Sequence, residues 1–453
     1  MRVKLSSPMT LSEIRRAVGG RGETDDTVSY VTTDTRELFR GDLFIALHGE
    51  RYDGNEFISE ARLRGAYTLG STDGADICVK ESEAALLALA HYYKGKLKDL
   101  KHTVAITGST GKTTTKEFLH ILLQAALRTH KSEGNHNNLV GMPMSILSTP
   151  ADTEVLILEL GMNAPGEIGR LSECARPSIG IITNIGSAHI GRLGSRAAIA
   201  RAKLELLVGL SGRLIIPYGE PLLQVKGALT FSVDCDLADM YMSAENGVVS
   251  VAANGQERMC APFFSSDKRH LLCLAPAILA ALELGVGEKA VCEQISTLSA
   301  QNTRQKTVSV GDATMICDFY NASYEAFLAA IDALCEEFPD SVKGVLIGDM
   351  LELGEYFEPL HESVGEYVAA RGVDHIFAFG ECCDAVMRGA VSKGFSRKNI
   401  YLNPDISRPE YTAAQIRSAV LPTETILLKA SRGMHLERVL DALENTENGG
   451  SLC

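Results

Sequence analysis

The chain has 453 residues, with 44 Lys and Arg against 57 Asp and Glu and a formal net charge of −13 at pH 7. That length exceeds one ordinary hydrophobic core and calls for two or three domains, while the acidic balance argues against nucleic acid or an anionic membrane surface as the main partner. The 11 cysteines form no C-x-x-C pair and no Cys/His metal spacing, and tryptophan is absent, so reduced, mostly buried thiols are expected and no aromatic platform for single-stranded nucleic acid is suggested.

The opening MRVKLSSPMT has no apolar signal region, and no apolar run is long enough to span a bilayer. A cytoplasmic protein is expected. Over residues 1–100, Val28 to Thr33 and Leu43 to Leu47 alternate like strands, with Asp34, Thr35 and Arg36 in the turn between them. Such a turn binds a polar ligand or simply caps itself. Glu56 to Arg64 and Ser82 to Tyr93 read as helices, and the basic stretch Lys94 to Lys101 marks a domain boundary.

Residues 101–302 begin with VAITGSTGKTTT, Val104 to Thr115. A buried β-branched strand breaks into Gly108, Ser109, Thr110 and Gly111, and a helix running through Leu127 begins near Lys112. This is a phosphate cradle. The glycines let successive N–H groups converge on an anion, the helix adds its positive end, Lys112 adds a point charge, and Thr113 offers a hydroxyl to Mg²⁺. The spacing is shorter than G-x-x-x-x-G-K-[ST], because Ile106 stands where its first glycine would be.

Gly134 to Asn138 is a polar cluster in which Asn137 and Asn138 either orient a substrate or form turns. Val155 to Glu159 is an apolar strand ending in an acid, a position that suits Mg²⁺ because a buried carboxylate needs positive charge. Ile179 to Thr183 runs toward His189, which the parallel-sheet rule brings to the same edge as the phosphate loop. Ser195 to Leu210 reads as an amphipathic helix on which Lys203 is, by pattern alone, a solvated charge. From Leu214 to Asp267 the pattern is poor, apart from a strand at Gly247 to Val251, and a helix is expected from Leu274 to Leu284 after His270.

Residues 303–453 alternate cleanly. Strands at Met315 to Asp318, Val342 to Ile347, His375 to Phe379 and Thr425 to Leu428 are separated by helices at Tyr324 to Phe338, Pro359 to Arg371, Cys382 to Ser392 and Tyr411 to Val420. The fold class expected is α/β with three domains, the last a Rossmann-like open sheet. DFYNA, GDMLELG and KASR stand at strand ends and point to a ligand cleft.

GSTGKTT, GNHNN with Gly141 and Pro143, LELGMNAPGEI, TNIGSAHIGRLGS, RAKLELL, DFYNA, GDMLELGE and KASR, in that order, resemble the Mur ligases of peptidoglycan synthesis. DFYNA with GDMLELG is most similar to the family member that joins D-alanyl-D-alanine to a UDP-N-acetylmuramoyl tripeptide. The D-N-P-R motif of the diaminopimelate-adding relative is absent. The resemblance implies an ATP- and Mg²⁺-dependent ligase, acting as a monomer, that forms an acyl phosphate before the amide. It assigns 1–100 to the UDP-sugar, 101–302 to ATP, and 303–453 to a Rossmann-like ligase domain.

Carried over residue by residue, the resemblance gives nucleotide contacts at Gly108 to Thr114, Arg304, Asp318 and Asn321. Thr113, Glu159, His189 and Lys203 become metal-side residues, with Lys203 carbamylated to make an oxygen ligand. Lys112, His189 and Lys203 are implied to be catalytic. Asp34, Thr35, Arg36, Asn137, Asn138, Asp349, Glu352, Lys429, Ser431 and Arg432 fall on the substrate side.

Departures from the family pattern gather on the adenine side. Lys268 precedes Arg269 and His270 where Gly is usual, and Leu274 takes an Asn position. Ile215 to Tyr218 replaces Asn-x-Asp, Phe319 replaces Ser, Ser323 and Tyr324 replace Asn-Pro, and Ala430 replaces Gly. Two other readings are a nucleotide- or UDP-sugar-binding regulatory paralogue and a sister ligase for another carboxylate. The metal-side set favours an enzyme.

Overall fold

The computed structural model describes residues 1–49, 52–253, 255–300, 306–419 and 424–445. The fold is α/β. The chain divides into two compact units, one comprising Met1–Asn184, Arg201–Phe263 and Leu271–Thr297, the other Ile185–Ala200, Phe264–His270 and Leu298–Cys453. Among the described residues, no helix is long and apolar enough to cross a membrane.

The first unit carries two sheets. In the smaller, the described strands lie side by side in chain order: Arg2–Thr10, Thr27–Thr32, Leu43–Ile45, Tyr67–Gly70 and Ile77–Cys78. The first pair is antiparallel and the rest parallel. Arg2–Thr10 buries Val3, Leu5 and Met9, and its pairing register shifts between Lys4 and Met9. Thr10 then caps the helix Leu11–Val18, its hydroxyl accepting from the Glu13 N–H at 3.1 Å. The helix expected at Glu56 to Arg64 is a 3₁₀ turn, Gly54–Phe57, running into Ile58–Leu63.

Helix Ser82–Lys94 buries residues along its length, and its last turn adds polar ties to the rest of the unit. The His91 imidazole meets the Cys174 carbonyl at 3.0 Å, and Lys94 reaches the carbonyls of Ala175 and Arg176. These are the final carbonyls of helix Glu167–Ala175, which attract cations.

In the larger sheet the described strands run Gln256–Pro262, Val248–Ala253, Met240–Glu245, Leu229–Ser232, Arg213–Pro217, Ile179–Ile182, His102–Thr107, Val155–Glu159, Thr129–Lys131. From Met240–Glu245 onward the pairing is parallel, and the first two strands extend it antiparallel. Val155–Glu159 is buried throughout, as expected of a central parallel strand covered on both faces. Helix Lys112–Leu123 buries Phe118, Leu119, Leu122 and Leu123, each contributing about 1.5–3 kcal/mol.

Two helix boundaries here differ clearly from those expected of the sequence. The phosphate-loop helix stops at Leu123 rather than Leu127, where buried leucines give way to exposed Gln124 to Ala126. The helix expected from Leu274 is Lys268–Glu283, started by Asp267, whose carboxylate accepts from the Arg269 N–H at 2.8 Å; Pro276 lies inside it. The poorly patterned stretch from Leu214 holds short strands, of which Met240–Glu245, Val248–Ala253 and Gln256–Pro262 bury only alternate residues.

In the second unit the described strands are ordered Lys306–Val310, Ala313–Asp318, Thr425–Lys429, Lys343–Gly348, His375–Phe379, Ile400–Asn403, parallel except for the first pair. Helices Tyr324–Glu337, Phe357–Ala370, Cys383–Ser392 and Pro409–Ala419 intervene. Ser323, in place of the family's Asn, caps the first of them by accepting from the Ala326 N–H. Met315, Leu346, Phe377, Ile426 and Leu428 form the centre of one apolar cluster.

Candidate active site

In the first unit, His102–Thr107 lies between Val155–Glu159 and Ile179–Ile182, with Ile106 in register with Glu159 and Thr107 with Ile182. Their carboxyl ends therefore share one edge. Gly108 has φ +151°, and a Cβ there would sit 1.8 Å from Thr183 Oγ1. Gly111, at φ +78°, completes the turn. Thr183 Oγ1 donates to the Thr110 carbonyl at 2.5 Å, Asn184 Oδ1 accepts from the Thr110 N–H at 3.0 Å, and the Ser109 N–H meets the Asn184 carbonyl. Thr183 and Asn184 thus brace the loop, a role their sequence did not announce. Thr114 lies in the first turn of the following helix.

Lys112 Nζ donates to the Gly108 carbonyl at 2.8 Å. Thr113 Oγ1 donates to Glu159 Oε2 at 2.6 Å, and Asn137 Nδ2 donates to Glu159 Oε1 at 2.8 Å. Glu159 is only 2% exposed. Burial pushes its carboxyl upward, but the charge of Lys112, the Thr113 hydroxyl, Lys116 and Asn137 together hold it below the usual range. An ionised, oxygen-bearing group beside a hydroxyl is a donor set suited to Mg²⁺.

Lys116 was missing from the sequence reading. It is completely buried, donates to the Ser132 carbonyl at 2.7 Å, and stands 3.8 Å from Glu159. Its signal was its position three residues after Thr113, on the same helix face. Asn138 opens helix Gly141–Leu147, its side-chain oxygen accepting from the N–H groups of Val140 and Gly141.

Lys203 corrects the pattern-based reading of a solvated charge. It is 2% exposed on helix Arg196–Leu204 and makes no hydrogen bond or ion pair with any described residue. Burial, then the charge of Lys112, drive its ammonium well below the usual range. Periodicity assigns a face to a residue but cannot see what packs over that face.

Asp34 follows the carboxyl end of Thr27–Thr32 and caps the turn Thr35–Glu37. Its hydrogen bonds with Arg36, chiefly the side-chain one at 2.6 Å, hold its carboxyl down at about 2. The Arg36 side chain is exposed.

In the second unit, Asp318, Gly348 and Lys429 end neighbouring parallel strands on one edge. Arg269, fixed by Asp267 at 2.6 Å, approaches Asp318 at 3.6 Å. Asn321 gives its side-chain oxygen to the Ala322 N–H and its carbonyl to Lys429. Asp349 spends its carboxylate on the N–H groups of Glu381 and Cys382, and Ser431 Oγ accepts from the Leu351 N–H. Arg432 lies 3.5 Å from Glu437. His189 meets Glu352 at 2.6 Å. Arg304 lies outside the described residues.

Asp349, His361 and Cys382 place potential metal-binding atoms within 4.8 Å of one another. Each is already engaged: His361 Nε2 accepts from the Met350 N–H at 2.9 Å, and its Nδ1 donates to the Phe357 carbonyl at 2.7 Å. The cluster fixes the turn after Lys343–Gly348.

A glycine cradle between a buried strand and a helix, with an acid hydrogen-bonded to the first helical hydroxyl, defines a phosphate-loop α/β protein. Residues 106–253 match the Mur ligase middle domain, and residues 303–432 match the Mur ligase, glutamate ligase domain. The UDP-N-acetylmuramoyl-tripeptide–D-alanyl-D-alanine ligase of Bacillus subtilis (strain 168) is 33% identical over 454 aligned residues, covering 96% of this chain and 97% of the relative. A crystal structure of MurF from Acinetobacter baumannii matches with a TM-score of 0.86 at 25% identity, covering 98% of this chain and 100% of that one. MurF ligase from Thermotoga maritima, in complex with ADP, matches with a TM-score of 0.79 at 28% identity, covering 92% and 98%. The chain belongs to the Mur ligase family.

Proposed function

We propose that this chain is an ATP-dependent amide ligase that joins D-alanyl-D-alanine to a UDP-N-acetylmuramoyl tripeptide. The observation that carries the reading is the buried Glu159 carboxylate, hydrogen-bonded to Thr113 at the phosphate loop, with Lys203 buried in the field of Lys112. Burying these charges is costly, a cost that a module binding only a UDP-sugar has no reason to bear.

The tripeptide's terminal carboxylate oxygen attacks the γ-phosphorus of ATP, and ADP departs. The amine of D-alanyl-D-alanine then attacks the acyl carbon, the C–N bond forms, phosphate leaves with the former carboxylate oxygen, and the proton lost by the nitrogen passes to phosphate or solvent. Lys112 and the loop N–H groups offset charge on the transferring phosphoryl group, the main electrostatic task in such chemistry. Thr113 and Glu159 would hold Mg²⁺, which would supply further charge neutralisation when bound. By the family resemblance, His189 would serve a second metal site and Asn138 the donor carboxylate.

An ammonium cannot ligate a cation. Lys203, shifted toward its neutral amine, can add CO₂ at Nζ and release one proton to solvent, giving a carbamate whose oxygens would suit Mg²⁺. Asp318, Asn321 and Arg304 would serve the nucleotide, and Lys429, Ser431 and Arg432 the reacting groups. Residues 1–100, with Asp34, Thr35 and Arg36, would form the UDP-sugar domain, 101–302 the ATP domain and 303–453 the Rossmann-like ligase domain. The reading includes a monomer acting in the cytoplasm. Phosphate release from ATP across a panel of UDP-muramoyl peptides paired with amino acids or dipeptides tests it; silence with every pair would favour a regulatory paralogue.

A further inference from the structure

His189 at φ +66° and Glu352 at φ +64° are among the described residues of the second unit that hold a left-handed backbone, which side-chain-bearing residues rarely adopt. They meet. Glu352 Oε2 lies 2.6 Å from His189 Nδ1, and its Oε1 lies 2.8 Å from Arg192. The Gly191 N–H donates to the Glu352 carbonyl at 3.0 Å, and a Cβ on Gly191 would lie 2.3 Å from the Leu353 carbonyl carbon. Two further ties hold the same segment: Ser187 donates through N–H and hydroxyl to Glu325 at 2.9 and 2.8 Å, and the Tyr356 hydroxyl donates to the Gly194 carbonyl at 3.1 Å.

A carboxylate only accepts hydrogen bonds, so His189 Nδ1 carries a proton. In a neutral ring the lone pair then resides on Nε2, the nitrogen able to take a cation or a proton. A histidine side chain in water prefers the opposite tautomer, with the proton on Nε2. Arg192 occupies the second carboxylate oxygen and keeps Glu352 from turning away.

We propose that Glu352 is a positioning residue that fixes His189 as its Nδ1–H tautomer, with Arg192 holding the carboxylate in place. The strained turn at Glu352 is what brings a residue of the GDMLELG motif to the imidazole. This rests on reading His189 as a reaction-centre residue, and it moves Glu352 from the substrate side to the support of that histidine.

The test is ¹⁵N NMR of the imidazoles in mildly alkaline buffer without substrates, with His189→Gln identifying the resonance, beside steady-state kinetics with the full substrate set. Wild type should show Nδ1 protonated and Nε2 unprotonated. Glu352→Ala should move the proton to Nε2 and lower kcat about 10–100-fold, the usual cost of losing such an orienting partner, with little change in KM for the dipeptide. Glu352→Gln, whose amide oxygen can still accept from Nδ1, should keep the tautomer and recover part of kcat. If Glu352→Ala does not fold, Arg192→Gln should loosen the tautomer preference in the same direction. A wild-type His189 protonated on Nε2, or a tautomer unchanged in Glu352→Ala, would overturn the proposal. Since the NMR needs no substrate, failure of the ligase reading would leave this readout standing.

Discussion

Asp318 and Lys429 face each other in register on adjacent parallel strands, and their side chains close an ion pair of 2.8 Å at the carboxyl edge of the sheet. Lys429 is only 1% exposed. Burial pulls its ammonium below the usual range while Asp318 holds it up. Asp318→Asn should strand a buried cation and cost about 3–5 kcal/mol. Asp318→Asn with Lys429→Met should cost clearly less, because no charge is left without a partner. Urea unfolding midpoints of the two variants check this; equal losses would refute it.

Gly348 leaves the space that Ala430 occupies. A Cβ at position 348 would lie 2.6 Å from the Cβ of Ala430. Gly348→Ala should therefore destabilise by about 1–3 kcal/mol through overpacking, and Ala430→Gly in the same chain should restore part of it. A double-mutant cycle in thermal unfolding measures the coupling. Simple additivity would show that the two sites do not compete for space.

Lys203→Ala should lose most ligase activity and regain part of it with added formate or acetate, which can replace the oxygens of a carbamate. Activity assays with and without the carboxylate decide it. A fully active variant would reject the carbamate.

Lys94 gives a pH signature. Burial lowers its ammonium to about 8 from an ordinary 10.5. Between these values the unfolded chain keeps a proton that the folded chain has released, so this residue makes stability rise with pH. Cys174 beside it, raised to about 12 by burial, acts oppositely once unfolded thiols ionise near 9, which confines the clean window to about pH 8–9. Across that window the thermal midpoint of wild type should gain on that of Lys94→Met. Parallel profiles would contradict the assignment.

The sheet of the second unit was legible because most of its strands are continuous apolar runs separated by full helices, and His375–Phe379 falls where the pattern put it. Ile400–Asn403 escaped because it is a half-buried edge strand, and Arg2–Thr10 because its register shifts after Lys4. At the site, Lys112, Thr113 and Glu159 could be read from strand-end logic, since parallel strands gather their carboxyl ends. Lys116, Thr183 and Asn184 could not: their roles depend on which distant carbonyls and amides the fold brings to them. Lys203 was promoted by family resemblance, and burial supplies the physical reason that periodicity lacked.

The most direct measurement is phosphate release from ATP and Mg²⁺ with UDP-N-acetylmuramoyl tripeptide and D-alanyl-D-alanine, comparing wild type with Lys112→Ala. Wild type should release phosphate only when both the tripeptide and the dipeptide are present, in step with the amide product, and Lys112→Ala should fall to background. Undiminished turnover in Lys112→Ala, or phosphate release indifferent to the two substrates, would contradict the account.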